Sequence, residues 1–102
     1  MMSDLYSLSV DKSDHRVYIK GELSFSSVSA LLRESDEVFA TILPLTIDLS
    51  AVELSDSAGL ALLVHWIRTA KNQNKAICFH NVPRQLMMIA KASNLDGLIP
   101  IQ

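Results

Sequence analysis

The chain has 102 residues, 49% hydrophobic and 20% charged, which is the length and make-up of one folded domain and not of a disordered segment. Nine Lys and Arg against eleven Asp and Glu leave a net charge of −2, and the basic residues are scattered, so no cationic stripe awaits a nucleic-acid backbone. The longest apolar runs, LALLV and LMMIA, fall far below the ~18 residues of a membrane span, and the N-terminal stretch lacks the basic-then-apolar order of a secretory signal; a cytoplasmic protein with no direct membrane insertion is expected.

In chain order, LYSLSV and RVYIKGEL alternate or are β-branched and aromatic, and the turn-forming DKSDH between them predicts a β-hairpin. After Gly21 the period changes. Ser24 is placed to cap a first helix, whose apolar residues Phe25, Val28, Leu31, Leu32, Val38 and Phe39 recur near helical spacing, ending before Pro44. LTIDLS, short and apolar between Pro44 and the polar SAVELSDS, fits an inner strand buried on both faces. Residues 57–72 then read as a second helix closing in KNQNK, followed by a strand AICFH, a third helix PRQLMMIAKAS and a final short strand GLIPI, weakened by Pro100. The order ββαβαβα(β) describes an α/β fold, a four- to five-stranded mixed sheet with the helices mainly on one face. Residues 1–102 form one domain in this reading, with no repeat or linker.

Little in the pattern points to catalysis. His15, His65 and His80 have no metal-ligand spacing, so no metal is expected. Ser57 and His65, separated by ~12 Å along one helix, cannot form a nucleophile–base pair. Three glycines, Gly21, Gly59 and Gly97, assemble no phosphate loop, and no cofactor is expected. The single cysteine, Cys78, reads as a buried structural thiol. Met87 and Met88 fill the core with one of them exposed, and Trp66 flanks the core at the edge of its helix's apolar face.

The second helix carries the functional signal. At 100° per residue, Leu60, Leu63, Val64, Ile67 and Ala70 face the sheet, leaving Ser57, Ala58, Ala61, Leu62, His65, Arg68, Thr69 and Asn72 outward. Leu62 beside Ala58 and Ala61 makes a small apolar surface on which another protein could approach closely. Asp56 or Ser57 caps this helix, and the free N–H groups of its first turn could also accommodate an anion such as a phosphoryl group on Ser57.

The stretch IDLSAVELSDSAGL, with GEL after the second strand and NLDGLIPI at the end, resembles the signature of the STAS domain family, the sulfate transporter and anti-sigma factor antagonist domains, over nearly the whole chain. The resemblance implies the STAS (SpoIIAA-like) fold. In the antagonist branch a partner kinase phosphorylates the first serine of Asp-Ser-Ser/Thr-Gly-Leu, here Ser57; Ala58 departs from the third place of that motif, and Ser24 stands where many relatives carry Asp after GEL. GLALLVHWIRTAKNQNK is similar to the STAS subunits of bacterial Mla-type phospholipid ABC transporters. That implies a subunit without catalytic activity, bound to an MlaF-like ATPase in a complex with a membrane permease, and so cytoplasmic and peripheral to the inner membrane. The implied partner-binding residues are Asp56, Ser57, Ala58, Gly59, Ala61, Leu62 and His65. The alternative is an anti-sigma factor antagonist whose binding to an anti-sigma factor kinase is reset by phosphorylation of Ser57.

Overall fold

The computed structural model describes residues 5–41 and 45–102. Pro44, expected to separate the first helix from the third strand, lies outside them. The elements run β1 (Tyr6–Asp11), β2 (Arg16–Leu23), α1 (Val28–Phe39), β3 (Leu45–Ser55), α2 (Ser57–Asn72), β4 (Ile77–His80) and α3 (Arg84–Ala92), followed by a 3-10 turn at Asp96–Leu98. The described strands form a four-stranded mixed sheet in the order β1-β2-β3-β4, antiparallel between β1 and β2 and parallel thereafter.

The hairpin follows from its turn. Asp11 Oδ1 accepts from the Ser13 N–H, the Ser13 hydroxyl and the Asp14 N–H, and these bonds hold the Asp11 carboxyl below the usual carboxylate range, the Ser13 hydroxyl contributing most. At the far end of β2, Gly21 adopts φ +93°, and a β-carbon there would stand 2.3 Å from the Leu5 carbonyl oxygen, so only glycine fits beside β1.

Val17, Ile19, Leu45, Ile47, Leu49 and Phe79 point from alternate strand positions into one apolar cluster with Leu31, Leu60, Leu63, Trp66 and Leu86 of the three helices. The helices therefore share one face of the sheet. The other face carries Arg16, Tyr18, Thr46, Asp48, Cys78 and His80, paired across β2, β3 and β4.

Several expectations are corrected. Ser24 does not cap α1: its hydroxyl donates to Glu22 Oε1, and Ser27 occupies the cap position without a side-chain cap bond. Phe25 precedes the helix and is exposed. The third strand runs on to Ser55, because pairing with β2 continues through Gly21↔Val52 and Leu23↔Ser55 although Glu53 and Leu54 face solvent. Cys78 alternates with the core residue Phe79, so it faces outward, half-buried, beside Thr46 Oγ1 and Gln102. The last segment makes one isolated bridge, Phe79↔Ile101, in place of a strand, as Pro100 lacks the N–H a ladder needs. Trp66 is fully buried and not at the flank. Its ring lies 6.2 Å from Phe39 of α1 and 6.4 Å from Phe79 of β4, and its Nε1–H donates to Ser35 Oγ at 2.8 Å.

Candidate functional site

The start of α2 is built around one carboxylate. Asp56, extended at φ −145°, accepts from the N–H groups of Ala58 and Gly59 through Oδ1 at 2.9 and 3.2 Å, which satisfies two of the free donors of the first turn. Its Oδ2 accepts from the Phe25 N–H at 3.0 Å, so the same side chain fastens the turn between β2 and α1 to the head of α2. With Asp56 as the cap, Ser57 is left at the first helical position, exposed, its hydroxyl without a hydrogen-bond partner among the described residues.

Leu62 corrects the helical-wheel reading. It is 5% exposed, because α2 is covered on a second side by α1, which a wheel drawn against the sheet alone omits. Ala58, Ala61, Leu62 and His65 instead line a shallow groove of about 270 Å³ between the two helices, closed on the other side by Val28, Ser29 and Leu32. Leu62 is its floor; Ala61 stands exposed above it. The His65 imidazole is half-exposed, with Nε2 3.7 Å from Asp36 Oδ1 of α1. Of the seven residues singled out in the sequence, four line the groove, Asp56 and Ser57 form the head of α2, and Gly59 is buried. Val28, Ser29 and Leu32 were missed as lining residues, because only the packing of α1 against α2 reveals the groove.

A second polar cluster lies on the open face of the sheet. Arg16 Nη1 is 3.4 Å from Asp48 Oδ2 and 2.8 Å from His80 Nδ1; since guanidinium only donates, His80 Nδ1 accepts. Burial works to raise the Asp48 pKa, but hydrogen bonds from Ser50 and Asn81 and the charge of Arg16 together hold it below the usual value. Among the described residues no three His, Cys, Asp or Glu side chains gather where a metal could sit, and no helix is long and apolar enough to cross a membrane.

A family model described as "Mlab, STAS domain" matches residues 7–100. The chain belongs to the MlaB STAS family. Within that family it is similar to the intermembrane phospholipid transport system binding protein MlaB of Escherichia coli K12, 34% identical over 91 residues, covering 89% of this chain and 92% of that one. The STAS fold is shared with an anti-sigma factor antagonist from Mycobacterium paratuberculosis (TM-score 0.76, 26% identity, 94% of this chain and 84% of that one). It is shared as well with a chain of the Acinetobacter MlaFEDB complex in an ATP-bound conformation (TM-score 0.74, 24% identity, 92% of this chain and all of that one).

Proposed function

We propose that this STAS chain is a non-catalytic subunit that binds and supports the ATPase of an ABC-type phospholipid transporter. It sits in the cytoplasm, held at the inner membrane through a complex of MlaF-like ATPase and permease. The observation that carries the reading is the small-residue groove at the head of α2, where Ala58 and Ala61 leave room above Leu62 for another chain. Membership of the MlaB family and the likeness to a chain of an MlaFEDB complex support the choice of partner. The test is co-purification with the ATPase. Ala61→Glu, which fills the groove from an exposed position, should abolish it with the fold intact, whereas Asn72→Asp at the far end of α2 should not. Equal recovery of ATPase with wild type and Ala61→Glu removes the groove as the dock.

The second reading, an antagonist switched by phosphorylation, draws on one observation: Asp56 has taken over the cap, so the exposed Ser57 hydroxyl is free to be modified. A phosphoryl group there would add ~2 negative charges at the first turn of α2.

A further inference from the structure

Phe25 is 82% exposed, more than any of the other exposed large apolar side chains described. A mobile aromatic would be unremarkable, but the backbone of Phe25 is fixed. Its N–H is held by Asp56 Oδ2, and in the turn around it the Ser24 N–H donates to Ser27 Oγ while the Ser24 carbonyl accepts from the Ser27 and Val28 N–H groups. A large ring on a preorganised turn loses little freedom on binding, which is what makes an aromatic residue an interface anchor. Its surroundings also have a sign. The Glu22 carboxylate is tethered to Ser24 by a 2.8 Å bond, and Asp56 Oδ2 is bonded to the Phe25 N–H, so two carboxylates are bonded into the turn that carries the ring.

We infer that Phe25 is an anchor for the ATPase subunit, continuing the groove surface past the head of α2, and that it enters an apolar pocket with Lys or Arg on its rim. This rests on the docking reading above. The cationic rim is the complement of Glu22 and Asp56, and it steers the approach as well as fixing the register.

The experiment is titration of the purified full chain against the ATPase subunit of the same host, at low and high NaCl, with thermal melts alongside. Phe25→Ala should weaken binding on the order of 30-fold with an unchanged melt, since the ring buries little on folding; Phe25→Leu should keep most of the affinity. Glu22→Gln, which retains the acceptor for Ser24, should flatten the salt dependence. Wild-type affinity in Phe25→Ala, when Ala61→Glu has lost binding, overturns the anchor and leaves the groove in place. Equal salt dependence in wild type and Glu22→Gln overturns the cationic rim. If wild type does not bind the ATPase, the docking reading itself falls, and the anchor with it.

Discussion

A β-carbon on Gly59 would stand 2.1 Å from the carbonyl oxygen of Leu23 and 3.0 Å from its Cγ. The first turn of α2 is thus pressed against the end of β2, and the obstacle is backbone, which cannot swing aside. Gly59→Ala should lose on the order of 1–3 kcal/mol, even though alanine is the better helix former. A urea melt as stable as wild type would show that the contact is looser than described.

Ser35→Ala tests the heart of the helical layer. Ser35 Oγ accepts from Trp66 Nε1 and donates to the Leu32 carbonyl, so alanine strands a buried indole N–H, at a cost of about 1–3 kcal/mol. Ser29→Ala, exposed on the same helix, should stay within about 0.5 kcal/mol. Equal effects of the two in chemical denaturation would contradict the bond.

Leu62 and Leu63 now make a matched pair. Both are buried, at 5% and 0% exposure, so Leu63→Ala should cost ~2–5 kcal/mol through its cavity, and Leu62→Asp, which buries a carboxylate, should also destabilise the fold. Leu62→Asp is therefore no clean probe of docking, and loss of binding in it must be read beside its melting curve.

The capping bonds separate Asp56 from Ser57. Asp56→Ala should lose ~0.5–2 kcal/mol from α2, with Phe25 N–H released as well, whereas Ser57→Ala should change stability by no more than about 0.5 kcal/mol. Intact mass of protein from its own host should show no phosphoryl group if the chain is a constitutive subunit. A phosphorylated fraction that varies with growth condition, with regulation lost in Ser57→Ala, would favour the antagonist.

The polar face gives a pH dependence. Because the Asp48 pKa is lowered in the fold, its contribution to stability is fully present above the unfolded value near 4 and is lost as pH falls through the lower folded value. Asp48→Asn should therefore lower stability at pH 7 and shrink the loss seen between pH 5 and pH 2. An unchanged acid unfolding profile would remove Asp48 from that account.

The sheet was legible because its signals are local: alternation in RVYIKGEL and the turn chemistry of DKSDH need no knowledge of the rest of the chain. What stayed hidden depends on neighbours. Leu62 and Trp66 are buried by α1, which no single-helix projection contains, and Leu54 belongs to a strand only because Glu22 pairs beside it, with Glu53 bulged between the pairs Gly21↔Val52 and Glu22↔Leu54. Phe25 matched the helical period of the residues after it, yet the turn from Ser24 to Ser27 holds it off the helix. The head of α2 was foreseeable as a place, since Asp56, Ala58 and Gly59 announce a cap and a close approach; its second wall was not.

The reach of Asp56 also bears on motion. One carboxylate protects three amides, that of Phe25 in the turn between β2 and α1 and those of Ala58 and Gly59 at the head of α2. Opening that side chain exposes all three to solvent in one event, so their hydrogen exchange should be correlated, with Phe25 slower than its exposed surroundings imply. A partner that held the Phe25 ring should therefore slow exchange at Ala58 and Gly59 as well, through the side chain all three amides share.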